Sequence, residues 1–232
     1  MINAFDREIL LFLNRFVEPL GEFNKTLDFI MYCKPLKGGV LMVLVWWLWF
    51  RRTEVSKVRV RQVLLATLVG SLLAMFSTRV LVNVMPERQR PIYNTELNMK
   101  IHPSLYNPGF KDVTSFPSDH ATLFLALSTG FFFLSRRLGF AVLAYVLIVI
   151  CLPRMYFGLH YPSDIVVGGL IGASAVTIAN LAWVRRHLFQ PLLQWSEPRP
   201  EFLYSVLFLL TYQITDMFES TRSILSFLFH RH

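Results

Sequence analysis

The chain has 232 residues, of which 54% are hydrophobic, 15% aromatic and only 16% charged, with a formal net charge of +8. So apolar a composition excludes an ordinary soluble domain of this size and reads as a polytopic membrane protein. The basic residues form no single stripe and no groove-reading motif accompanies them, so nucleic acid is set aside as a partner, and the distant Cys33 and Cys151 suggest neither a disulfide framework nor a thiol site.

In chain order, residues 1–35 show no cleavable signal and read as helices lying in the headgroup layer. Phe5, Ile9, Phe12, Leu13 and Phe16 recur at helical spacing, with Asp6, Arg7, Asn14 and Arg15 elsewhere around the turn. Taking roughly 17 to 25 apolar residues as one crossing, the sequence predicts an all-α core with about six transmembrane helices, near 36–51, 62–85, 119–135, 138–153, 164–184 and 202–217. Trp46, Trp47 and Trp49 anchor the short first span at an interface. Thr211, Gln213, Thr215 and Asp216 crowd the end of the last, leaving 218–232 as an amphipathic tail. The whole chain, 1–232, is expected to form one integral membrane domain, its core at 36–217. Nothing in the sequence sets an oligomeric state.

Two crossings separate the segments 86–118 and 154–163, which places both on one face of the bilayer. Arg51, Arg52, Lys57, Arg59, Arg61, Arg136, Arg137, Arg185 and Arg186 fall on the other. A basic excess in short loops marks the cytoplasmic side, so the first two segments are expected to face outward, in a bacterium toward the periplasm or exterior.

Those outward segments hold three polar clusters: Arg88-Gln89-Arg90-Pro91, Phe116-Pro117-Ser118-Asp119-His120, and Arg154 through Asp164. Pro117 and Pro162 mark helix starts, which puts His120 in a first turn and His160 just outside one. Free N–H groups and the positive dipole end of each helix then make a ready anion site, with Ser118 and Asp119 beside it. His160, Asp164, His120 and Asp119 have the makings of a metal set. Against that, Arg88, Arg90 and Arg154 would repel a cation, whereas guanidinium forks match phosphate oxygens. With an anion held there, one histidine attacks phosphorus and the other protonates the departing oxygen. Asp164, four residues beyond His160, is placed to hold that imidazole in its attacking tautomer, leaving His120 as the acid.

The clusters resemble the signature of the type 2 phosphatidic acid phosphatases, the membrane superfamily that shares its site with vanadium haloperoxidases: lysine, six residues and Arg-Pro; Pro-Ser-Gly-His; and Ser-Arg, five residues, His, three residues and Asp. Arg90-Pro91, Pro117, Ser118 and His120, and Arg154, His160 and Asp164 stand at the matching positions. The resemblance implies a haloperoxidase-like helical core, a phosphorylated His160, His120 as the acid, and no metal or other cofactor. Three positions depart from it. Asn83 stands where lysine is expected, with Arg88 and then Arg79 as candidates for the missing charge; Pro153 replaces a serine; and Asp119 replaces glycine, as in the branch containing undecaprenyl pyrophosphate phosphatases.

The function so implied is metal-independent hydrolysis of the terminal phosphate of a membrane lipid, undecaprenyl diphosphate, in the bacterial inner membrane. Phosphatidic acid or phosphatidylglycerol phosphate suits the same headgroup site. A lipid phosphotransferase is the second reading, its acceptor pocket shaped by the loop Pro86–Phe116 with Tyr93, His102, Tyr106 and Phe110. An anion channel or transporter is the third. It needs polar groups at mid-depth, where the sequence offers only Arg79.

Overall fold

Backbone groups in hydrocarbon find no water, so an apolar run must satisfy its own hydrogen bonds as a helix. The computed structural model describes residues 2–17, 21–51, 57–100 and 114–229, and every regular element among the described residues is helical. Two helices open the chain, α1 (Ala4–Asn14) and α2 (Gly21–Tyr32). A π-helical turn, Pro35–Gly39, leads into α3 (Val40–Phe50), followed by α4 (Lys57–Val84) and α5 (Asp119–Phe132). The rod Arg136–Tyr156 comprises α6 (Arg136–Tyr145), a π-helical stretch and α7 (Leu152–Tyr156). Then come α8 (Pro162–Ala179), the short α9 (Ala182–Val184) and α10 (Gln190–Ser196), α11 (Pro200–Asp216) and α12 (Glu219–Phe229).

A helix stands at each of the six predicted spans, but only three are long and apolar enough to cross a membrane: Lys57–Val84, Arg136–Tyr156 and Pro162–Ala179. A fourth arises if α2 and Pro35–Phe50, bent by 65° at the intervening break, act as one broken span. That pairing departs from the expectation that residues 1–35 only lie on the surface. The shortfall at 119–135 has a plain cause. At 1.5 Å per residue, the 14 residues of α5 reach about 21 Å of an apolar layer about 30 Å thick. This helix is buried along most of its length and is shielded from lipid by its neighbours.

The centre of the fold is the three-way packing of α4, α5 and α8. Small residues bring the backbones together, as is usual where lipid supplies no hydrophobic force between helices. Gly168 and Gly172 of α8 press on Ser118, Thr122 and Ala126 of α5; Gly130 of α5 meets Thr67 of α4, and Gly70 of α4 meets Val176 of α8. Hydrogen bonds cross the same seams, from Thr78 Oγ1 to Thr122 Oγ1 (3.2 Å) and from Asn180 Nδ2 to Thr67 Oγ1 (3.3 Å). A methyl at Gly168 would stand 2.8 Å from the Ser118 carbonyl oxygen. Gly168→Val is therefore expected to cost about 1–3 kcal/mol and to lower the melting temperature in detergent by several degrees. Gly21→Ala, with nothing within 4 Å of the added carbon, leaves melting unchanged.

Candidate active site

The C-terminal end of α4, the N-terminal end of α5, the end of α7 and the start of α8 come together at one end of this bundle, carrying all three clusters. Ser118 is the N-cap of α5, its hydroxyl accepting from the Ala121 amide at 3.4 Å. The predicted phosphate ligand is thus turned to its own helix. The Ser118 amide in turn donates to the Asp164 carbonyl oxygen at 3.3 Å, which ties the α5 start to that of α8.

The loop between α7 and α8 is a tight knot around Arg154. The Arg154 carbonyl oxygen accepts from the amides of Leu159 (2.8 Å) and His160 (3.3 Å), and the Gly158 carbonyl oxygen accepts from the Ile92 amide at 2.9 Å. Gly158 turns the chain at φ +67°, with Met99 and the Ile92 nitrogen 3.1–3.2 Å from where a Cβ would sit, so only glycine fits. Arg90 clasps the loop from the other side through Nη1 to the Leu159 carbonyl oxygen (3.0 Å). The Arg154 guanidinium is buried, with Nη1 on the Ile150 carbonyl oxygen at 2.8 Å.

His160 is 6% exposed and its Nδ1 lies 2.8 Å from the carbonyl oxygen of Ser115. A carbonyl oxygen only accepts, so Nδ1 carries the proton and Nε2 keeps its lone pair. Asp164 Oδ2 stands 3.8 Å from the same Nδ1, too far for a hydrogen bond but close enough for its charge to be felt. The tautomer is therefore set by the Ser115 carbonyl, a partner the sequence did not reveal, instead of by Asp164 as expected. Burial, reinforced by Arg90 and Arg154 and opposed by Asp164, holds the His160 pKa below the ordinary 6.5. His120 packs against Phe124, its ring feeling the charges of Arg154, Lys37, His160 and Arg90.

Asp164 itself is fully buried. Oδ2 accepts from the Tyr161 amide at 2.8 Å, and Oδ1 is paired with Arg88. Arg88 was expected to stand in for the motif lysine, but its guanidinium is occupied elsewhere. Besides Asp164 it holds Ser163 Oγ (2.8 Å) and Asp6 Oδ2 (2.7 Å), and it lies over the Tyr161 ring at 3.8 Å. Arg79 is likewise taken, by an ion pair with Asp119. Asn83 is exposed. His102, Tyr106 and Phe110 of the predicted acceptor loop lie outside the described residues.

Asp6 is the residue that sequence reasoning missed outright. It sits on the inward face of α1, fully buried, and accepts from Arg88, from the Ser163 amide (2.8 Å) and from the Ser163 hydroxyl (2.6 Å). Phe5 and Phe12 of the same helix, and Phe16 just beyond it, are exposed, as are Arg7 and Arg15, whereas Asp6, Leu10 and Asn14 form its buried face.

The profile of the PAP2 superfamily matches residues 63–188, which take in most of α4, all of α5 through α8 and all three clusters. The chain belongs to the PAP2 superfamily. It is 25% identical over 157 residues, 67% of this chain and 72% of the relative, to an Escherichia coli (strain K12) protein named as a candidate undecaprenyl-diphosphatase, YbjG. It is 24% identical over 198 residues, 83% of each chain, to the bacitracin transport permease protein BcrC of Bacillus licheniformis. Its fold aligns with the crystal structure of Aquifex aeolicus LpxE at a TM-score of 0.49 and 22% identity, covering 74% of this chain and 92% of that one. As a PAP2 protein the chain is a membrane-embedded lipid phosphatase.

Two predictions test this geometry. Asp6→Ala leaves Arg88 with one carboxylate fewer. It should destabilise the protein by about 1–3 kcal/mol and lower kcat through Asp164, with KM little changed, a split read by steady-state kinetics. Because the His160 pKa lies below 6.5, the rate of phosphoenzyme formation should stay flat from neutral pH down to that value. It should fall only as pH drops through the lowered His160 pKa, where Nε2 takes up a proton; rapid-quench measurement across the acid range reads the limb.

Proposed function

We propose that this PAP2 phosphatase removes the terminal phosphate of a polyprenyl diphosphate at the outer face of a bacterial plasma membrane, through a phosphohistidine at His160. The observation that carries the reading is the Ser115 carbonyl at 2.8 Å from Nδ1, which leaves Nε2 of a buried, neutral imidazole as the nucleophile, with Arg90 and Arg154 in electrostatic reach.

Nε2 forms a bond to the terminal phosphorus as the bridging P–O bond breaks, and the bridging oxygen leaves on the prenyl monophosphate with a proton from His120. Arg90 and Arg154 hold the equatorial oxygens, where charge gathers as the phosphoryl group transfers. Asp164, at 3.8 Å, offsets the positive charge that the phosphorylated ring acquires. Water then attacks the same phosphorus, giving its proton to His120 as the N–P bond breaks, and inorganic phosphate departs. Neither half requires a metal.

Asp119 in place of the motif glycine and the name of the Escherichia coli relative support a polyprenyl diphosphate over a glycerolipid. Orientation rests on Arg59, Arg136, Arg137, Arg185 and Arg186, at the opposite end of the bundle from the site; there Arg59 and Arg186 are close enough to act on Arg185.

Purified protein, offered undecaprenyl diphosphate, phosphatidic acid and phosphatidylglycerol phosphate with a chelator present, should prefer the diphosphate and keep full activity. Preference for a glycerolipid sinks the substrate assignment. His160→Ala should be inactive on every ester and form no acid-labile phosphoenzyme. His120→Ala should retain measurable turnover of an activated aryl phosphate, whose leaving group needs no proton. The reverse pattern exchanges the two roles.

A further inference from the structure

The cation that the motif places at position 83 is missing there, and Arg88 and Arg79, its sequence-level substitutes, are both held by carboxylates. Lys37 is different. It lies in the π-helical turn Pro35–Gly39 at the start of α3. That turn packs against the Val146–Cys151 stretch that leads into Arg154, which places it near the site.

The turn is pinned on two sides. The Tyr145 hydroxyl donates to the Leu36 carbonyl oxygen, and Gly38 lies so close to α11 that a Cβ would stand 2.6 Å from Thr215 Cα. Lys37 is 8% exposed, and among the described residues its ammonium makes no hydrogen bond or ion pair. The carboxylates nearby, Asp216 and Glu219, are both taken by Lys34 at 2.6 and 2.9 Å. Arg154 and His120 are the site groups within reach of its charge. Two buried cations, Lys37 and Arg154, thus repel each other, and among the described residues neither has a carboxylate as an ion-pair partner. So arranged, they cost folding energy unless an anion joins them. A π-helical turn is itself a costly irregularity that recurs at functional sites.

We propose that Lys37 is the missing phosphate-shell cation, supplied from the start of α3 in place of position 83, and that it binds phosphoryl oxygen beside Arg154. The inference rests on the phosphatase reading, yet its first test needs no turnover.

In detergent, inorganic phosphate should stabilise the parent protein against heat. Lys37→Met should keep its own fold and raise the phosphate concentration for half-maximal stabilisation by about ten- to a hundredfold, the loss of one charge-assisted hydrogen bond. Its kcat/KM for the lipid diphosphate should fall by a comparable factor, and Lys37→Arg should recover most of both. Phosphate stabilisation equal in Lys37→Met and the parent overturns the proposal. If Lys37→Met does not accumulate, Lys37→Gln against Lys37→Arg decides in the same way: protection in the arginine variant alone supports it, and equal protection in both overturns it. Failure of the phosphatase reading is distinct, since it shows as no turnover of any of the three lipids by the parent protein, whatever Lys37 does to phosphate binding.

Discussion

Everything at the site depends on one buried carboxylate being held still. Asp164 has no contact with solvent, and a carboxylate buried there without a partner would cost folding energy. Arg88 prevents this, and Asp6 in turn keeps Arg88 in place, so three charges from α1, the loop after α4 and the first turn of α8 form one chain of contacts. Removing the outermost member loosens the innermost. The lone pair on His160 Nε2 and the negative charge beside its ring are thus supplied by separate groups, the Ser115 carbonyl and Asp164.

The second constraint is depth. The α5 and α8 starts must reach the same level for Ser115, Ser118, His160 and Asp164 to meet. Gly168 and Gly172 set that level by letting α8 slide against Ser118 and Thr122 with no side chain between. Larger residues on this face would part the helices and with them the Ser118 amide from the Asp164 carbonyl oxygen.

How much of this could be read from the chain depends on how local each feature is. Pro162 opens α8 and Ser118 caps α5, both features that a few neighbouring residues dictate, and the intervals from Arg154 to His160 and Asp164 follow from one tight turn. The helices were legible for the same reason. Length and composition alone do not give the count of crossings, because α5 needs no apolar length once its neighbours enclose it. Asp6, Ser115 and Lys37 carry no local signal at all. Asp6 reads as one charge on an amphipathic helix, Ser115 acts through its backbone, and Lys37 reads as a flanking base until packing denies it a carboxylate. Arg88 is the opposite case, since its charge is plain in the sequence while the two acids it pairs with lie far from it along the chain.

The clasp between α1 and the rest joins residues 82 and 157 positions apart along the chain, from Asp6 to Arg88 and to Ser163. Arg88 precedes α8, so a chain made from its N-terminus can close the Asp6–Arg88 pair first, while the contacts of Ser163 and Asp164 that complete the clasp wait for the start of α8. The charge network beside His160 is therefore assembled in two stages.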